Sequence, residues 1–382
     1  MRLTVSGVDA AGRLWRSAGE YPVGDDGQLV VEDLDRPWWS MTTDVRPAVR
    51  FTDPVDEWVC TAEASCGGET ARTTVRRRFG SGEPLRELSD DRWRLSVWPA
   101  SRRAPGVLLV PGFTGIAPLA PRAALLASHG YSTAVLGYMQ EPGLPQSMRQ
   151  IPVEVLAEGA AAFSAVDEVD GERIVVWAQS VATELVLTAL SGPNPPPVHG
   201  VVAISPSDVV WQALGSGGPS PKASSLTRAG ADLPWVPMRG ERLIGQALRH
   251  ALLRRLPGGA SRSTAMRLGA AYADRDVARA AEAAIPVERI DAPMLLIAGD
   301  ADAVWPSVSM ASALAARRGH RPTDQLLVLP GIGHFVSPPA TPTTVDRNAD
   351  LVSGGIPEAT AHGQRAAWNA ALKFLRDITG GP

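Results

Sequence analysis

The chain has little cysteine, no long apolar run and no excess of one charge. Two cysteines in 382 residues, Cys60 and Cys66, cannot close a zinc site, which takes about four ligands. The N-terminus, MRLTVSGVDAAGRLW, lacks a charged segment followed by an apolar core. A signal peptide is therefore not expected, and neither is a hairpin disulfide between the two thiols. No stretch of about 20 apolar residues occurs, so stable membrane insertion is not expected either. A net charge of -3 makes no case for nucleic acid or an acidic membrane surface. The arginine run in TTVRRRF has acidic residues around it along the chain and reads as a solvated strand face. These absences leave a cytoplasmic enzyme or binding protein as the default.

Turn formers and core formers are both plentiful. There are 33 prolines and 37 glycines, and 45% of residues are hydrophobic. That combination means many turns and rigid loops in a folded chain, not disorder. The length allows two domains, or one large domain with an appendage.

Residues 1–102 read as short strands: RLTVSG, QLVVEDL, WWSMTTDV, AVRFTD, EWVCTAEAS, ARTTVRRRF and RWRLSVWPA. Turn signals such as GDDG, CGGE and GSGEP separate them, the pattern of a small β-sandwich. Trp38, Trp39, Trp58, Trp93 and Trp98 read as core or interface residues, since tryptophan buries much area.

Residues 103–382 have another rhythm. GVLLVPG, YSTAVLGY, RIVVWAQ, VHGVVAISP, APMLLIAGD and DQLLVLPG are apolar strands, and helix-like stretches such as PRAALLASHG and VATELVLTALSG alternate with them. This is the pattern of a parallel sheet covered on both faces. Sites in such sheets form at the carboxyl ends of the strands. Residues 206–285 break the alternation and read as a cap or lid inserted over the sheet. Within it Arg242 with Arg249, or Arg254 with Arg255, could meet phosphates, but they read better as the polar face of a helix.

Three strand ends carry chemistry. Ser180 follows RIVVWAQ, Asp300 and Asp302 follow MLLIA, and His334 follows QLLVL in PGIGHF. The chain order Ser, Asp, His is that of α/β-hydrolases. A serine hydroxyl is a poor nucleophile until a base takes its proton; a histidine suits that role, and a carboxylate fixes its tautomer. Taken alone, Ser180 would read as a helix N-cap. The ordered set reads as a nucleophile, acid and base. One departure stands out: a nucleophile elbow reads G-x-S-x-G, and both glycine positions here are alanines, Ala178 and Ala182.

With these residues in view, the chain resembles the acyl-CoA thioesterases and bile acid-CoA:amino acid N-acyltransferases. The resemblance is carried by PRAALLASHGYSTAVLGY, LPQSMRQIPVEVLAEGAAAF, IPVERIDAPMLLIAGDADAVWPS, LPGIGHFVSPPATPT and GGIPEATAHGQRAAWNAALKFL, with GRLWRSAGEYPVGDDGQLVVE and WWSM toward the N-terminus. It implies an Ig-like β-sandwich ahead of an α/β-hydrolase domain, an acyl thioester substrate and a covalent acyl-enzyme. It implies Ser180 as nucleophile, His334 as base, and Asp302 as acid in preference to Asp300. The oxyanion hole should come from backbone N–H groups, that of Val181 and one from the PGFTG loop at Phe113 or Thr114. The loop Gly112 to Pro118 and the segment 207–283 depart most from the family pattern.

The expected reaction is hydrolysis of a small-molecule acyl thioester, on coenzyme A or on the phosphopantetheine arm of an acyl carrier protein. It needs no metal and no organic cofactor. Acyl transfer to an amine or alcohol, a carboxylesterase or peptidase activity, and a non-catalytic binding protein on a hydrolase scaffold are the alternatives. In the amino-acid-transferring branch of the family the nucleophile is typically cysteine, so the resemblance, with serine here, implies water as the acceptor. Oligomeric state is not readable.

Overall fold

The computed structural model describes residues 1–382 except 27, 29–31, 47, 55, 81, 215–221, 257–264 and 349–350; the side chains of residues 254 and 348 are also outside the described set. The fold is an α/β-hydrolase preceded by a small all-β unit. In that unit β1 (Arg2–Val8), β2 (Leu14–Glu20), β3 (Glu57–Cys66) and β4 (Glu69–Arg78) form an antiparallel sheet in the order β2-β1-β3-β4. Its buried face carries Val5, Trp15 and Trp58, covered by Trp38, Met41 and Phe51 from the segment joining β2 to β3. Cys60 and Cys66 are both free.

Several expected N-terminal strands turn out differently. WWSMTTDV begins in a helical turn, Arg36–Trp39, because Pro37 favours a first helical turn and withholds a ladder donor. AVRFTD contains no strand. Much of QLVVEDL, residues 29–31, lies outside the described residues. RWRLSVWPA does form a strand, but it belongs to the large sheet. Together with Arg86–Ser89 it makes a hairpin, β5 (Arg86–Ser89) and β6 (Arg94–Trp98), on the edge of that sheet. The α/β unit therefore starts upstream of residue 103.

The large sheet continues with β7 (Ala104–Val110), β8 (Ser132–Gly137), β9 (Val169–Gln179), β10 (Gly200–Ile204), β11 (Met294–Gly299) and β12 (Gln325–Leu329). Its order is β12-β11-β10-β9-β7-β8-β6-β5. β7 to β12 run parallel; only β5 with β6, and β6 with β8, pair antiparallel. Among the described residues the longer helices are α1 (Ala120–Ser128), α2 (Glu154–Ser164), α3 (Val181–Leu190), α4 (Ile244–Arg254), α5 (Ser307–Arg318) and α6 (Pro357–Thr379).

Alternate side chains of each strand feed two separate cores. Leu108, Val176 and Ala178 pack toward α2, α3 and α5. Val107, Val175 and Trp177 pack toward α1 and α6. Burial on both faces is why these strands read as unbroken apolar runs. Ala178 is level with Val110 on one side and Ala203 on the other, so β7, β9 and β10 end together.

Among the described residues, 206–285 add no strand to the large sheet. Leu226–Arg228 pairs antiparallel with Ala231–Asp232 and parallel with Ile151–Pro152. The first part of this insertion is tied to α3: the Ser207 N–H donates to the Thr183 hydroxyl at 3.0 Å, and the Trp211 N–H donates to Glu184 at 3.1 Å.

Candidate active site

Ser180 stands at the junction of β9 and α3, with φ 61° and ψ -133°. A residue other than glycine held at such a backbone angle is strained by about 1–3 kcal/mol, so the surroundings must over-determine it. They do. The Ser180 N–H donates to the Ile204 carbonyl at 2.9 Å, and the Ser180 carbonyl accepts from the Thr183 N–H at 2.9 Å. Ala178 and Ala182 are both fully buried. Gly112 of the loop opposite lies beside the elbow, where a Cβ would be in ordinary contact with Ser180 at 3.9 Å.

His334 lies between Ser180 and Asp302. Its Nε2 is 2.6 Å from Ser180 Oγ, and its Nδ1 is 2.7 Å from Asp302 Oδ2. The side chains of His334 and Asp302 are 1% and 2% exposed, so water does not compete for these bonds. With Nδ1 donating to the carboxylate, Nε2 is the acceptor that faces the serine hydroxyl. Asp302 is fixed in turn. Its Oδ1 accepts from the N–H groups of Val304 at 2.7 Å and Trp305 at 3.2 Å, and the Ser307 hydroxyl donates to Oδ2.

The loop carrying His334 is clamped on all sides. The His334 N–H donates to Ser353 O at 2.9 Å. Its carbonyl accepts from Ser205 Oγ at 2.8 Å and from Gln179 Nε2 at 3.1 Å. Trp305 meets the imidazole edge-on at 5.3 Å. Gly333 is required here: a Cβ on it would lie 2.2 Å from Gly354 O. Asp300, by contrast, is exposed and accepts from the Gly331 N–H at 2.6 Å, which shapes the loop without reaching His334.

Ser180, Asp302 and His334 are thus brought together, and Asp300 is not among them. Phe113 is half-buried and Thr114 exposed beside the elbow. Among the described residues, the backbone N–H groups of Val181, Phe113 and Thr114 meet no acceptor. Three contributors escaped the sequence reading: Gln179, Ser205 and Ser307. Only Ser205 had a signal, since it also follows a buried strand at this edge of the sheet; its φ is 46°.

One turn past Ser180, Glu184 is buried beneath the insertion. Burial pushes its carboxyl up to about 8, although Ser225 and the Trp211 N–H both hydrogen-bond to it. Trp211, Tyr272, Trp305 and His334 form an edge-to-face series with centroid spacings of 4.8, 5.5 and 5.3 Å. A cavity of about 360 Å³ opens beside Tyr272, Trp305 and Met310, and Asp302 forms part of its wall. Asp33, Glu358 and His362 also bring ligand atoms within 4.8 Å of one another, but Asp33 already accepts from Trp39 and pairs with His362.

The family model described as BAAT / Acyl-CoA thioester hydrolase C terminal matches residues 151–381, which include Ser180, Asp302 and His334. The chain belongs to this family. Peroxisomal succinyl-coenzyme A thioesterase of Mus musculus is 26% identical over 362 residues, covering 91% of this chain and 78% of that protein. Acyl-coenzyme A amino acid N-acyltransferase 1 of Mus musculus is 24% identical, covering 80% of this chain and 68% of that one. Acyl-coenzyme A thioesterase 1 of Mus musculus is 24% identical, covering 93% and 79%. Hydrolysis and acyl transfer both occur in the names of these family relatives. No helix among the described residues is long and apolar enough to cross a membrane.

Proposed function

We propose that the protein is a serine-dependent acyl thioester hydrolase acting through an acyl-Ser180 intermediate. The observation that carries this reading is the double contact of His334, at 2.6 Å to Ser180 Oγ and 2.7 Å to Asp302 Oδ2. His334 Nε2 takes the hydroxyl proton as Ser180 Oγ bonds to the thioester carbonyl carbon. The oxyanion is held by the N–H of Val181 and that of Phe113 or Thr114. Its collapse breaks the carbon–sulfur bond, and the departing thiolate takes the proton from His334. Water then gives a proton to His334 and attacks the ester carbon. Collapse of that second adduct returns the proton to Ser180 and frees a carboxylic acid. Asp302 orients the imidazole throughout. Residues 206–285 serve as the lid over the acyl group, whose thiol carrier is coenzyme A or a carrier protein's phosphopantetheine arm.

Acyl transfer to an amine is the second reading, favoured by the resemblance to an amino acid N-acyltransferase. One experiment separates the two. Purified protein and Ser180→Ala are mixed with a panel of acyl-CoAs, with and without glycine or taurine. Intact mass, free thiol and acyl product are followed together. Ser180-dependent thiol release with free acid as product supports the hydrolase. An amide formed only with added amine moves the function to acyltransferase. Thiol release that survives Ser180→Ala overturns the mechanism.

A further inference from the structure

The insertion carries a charge pattern and an apolar pattern that this reaction does not use. From Arg242 to Ala273 the sequence holds Arg242, Arg249, Arg254, Arg255, Arg262 and Arg267 and no acidic residue, in a chain whose net charge is -3. Glu241 and Asp274 bound this stretch and Arg242 pairs with Asp274 at 2.8 Å, so the local excess of positive charge rests on the arginines from Arg249 onward. α4 runs through this segment. Leu243, Gln246, His250 and Leu253 form its half-buried side. Elsewhere on its surface Ile244, Leu248 and Leu252 are 54%, 66% and 63% exposed, and Leu256 just beyond the helix is 43% exposed.

Single exposed aliphatic side chains are ordinary on protein surfaces. These recur at every fourth position, which places Ile244, Leu248 and Leu252 along one helix face. Arg249 and Arg255 are exposed beside that face. A polar, basic flank next to a row of large aliphatics is the composition of helices that lie in a bilayer interface.

We infer that α4 is a peripheral docking surface for an anionic lipid bilayer. It lies along the headgroup plane with the Ile244, Leu248 and Leu252 face immersed and Arg249 and Arg255 against lipid phosphates. Charge complementarity fixes the sign of the partner. Shape favours lipid over a folded protein: the aliphatic row stands on a convex helix, which a deformable surface accommodates without a matching groove. The attachment is reversible, because one short helix and a few arginines anchor weakly.

The test is flotation of the full chain with phosphatidylcholine vesicles, with and without phosphatidylglycerol, over a range of salt. Vesicles containing phosphatidylglycerol should bind the protein about tenfold or more tightly than neutral ones, and salt should release it. Leu248→Ser with Leu252→Ser, and separately Arg249→Glu with Arg255→Glu, should each weaken binding by about tenfold or more. Both pairs should melt like the parent, since the altered side chains are exposed. Absence of binding, equal binding to both vesicles, or variants that bind like the parent would each overturn the inference. So would indifference to vesicles combined with Arg249-dependent binding of a purified acidic carrier protein. None of these readouts depends on Ser180.

Discussion

Gln179, the residue before Ser180, donates from its side-chain amide to the backbone carbonyl of His334 at 3.1 Å. The strand that ends at Ser180 thereby grips the loop that carries His334. The oxygen of the same amide faces Arg122 Nη1 at 3.4 Å, and Arg122 also donates to the Val336 carbonyl and lies over the Trp177 ring. Ser205 holds the His334 carbonyl from the neighbouring strand. Besides Asp302, which meets Nδ1, the 2.6 Å contact of His334 with Ser180 is therefore supported by residues that touch neither the serine hydroxyl nor the imidazole nitrogens.

Removing that grip should damage turnover more than binding. Gln179→Ala is expected to lower kcat by roughly 10–100-fold with little change in KM, because small misplacements of a catalytic pair cost about that much. The rate of Ser180 labelling by a fluorophosphonate should fall with kcat. A variant whose KM alone rises would place Gln179 in substrate binding instead.

The two aspartates beside β11 should separate cleanly. Asp302→Asn leaves the packing in place but disturbs the tautomer of His334, and kcat should fall by about 10⁴-fold. Asp300→Ala removes only the acceptor for the Gly331 N–H. It should cost about 1 kcal/mol of stability and leave kcat within a few-fold of the parent. Steady-state kinetics and thermal melting on the pair decide between them. The reverse ranking would make Asp300 the acid.

The angle φ 61° at Ser180 predicts a trade of activity for stability. Ser180→Gly adopts the same backbone without the penalty of a Cβ, and relief of about 1 kcal/mol is expected despite the lost hydroxyl contact. Melting should rise by roughly 1–3 °C while thioesterase activity disappears. Ser180→Ala loses activity equally but keeps the strain, so the difference between the two variants reports the elbow. Identical melting temperatures would show that the elbow is unstrained.

What was legible in the sequence follows the physics of burial. Strands buried on both faces become unbroken apolar runs, so RIVVWAQ and MLLIAGD announced a parallel sheet, and its carboxyl edge then gathered Ser180, Asp302 and His334. RELS and RLSVW carry no such mark. Their short polar and apolar mixture reads the same on the edge of a hydrolase sheet as in a β-sandwich, which is why RWRLSVWPA reads as one more N-terminal strand and RELS as none. Gln179, Ser205 and Ser307 act only because separate loops meet, and nothing in their local sequence records the meeting.

Glu184 gives the clearest pH prediction. The insertion covers Glu184, and burial raises its carboxyl from an ordinary value near 4.5 to about 8. Between those values the folded protein holds a proton on Glu184 that the unfolded chain has released. Fewer protons bound by the unfolded state means that stability falls as pH rises. The contribution is fully present below about 4.5, declines through the window up to about 8, and is lost above it. Glu184→Gln keeps an oxygen to accept from the Trp211 N–H and Ser225 but carries no ionisable proton. Its melting temperature should therefore match the parent near pH 5 and exceed it near pH 9, by an amount reflecting about 1–3 kcal/mol once the protein relaxes around the charge. Thermal melts of both proteins across that range test this directly. Parallel curves would mean that the carboxyl is ionised in the folded state at neutral pH, and that the junction between α3 and the insertion is hydrated enough to carry the charge.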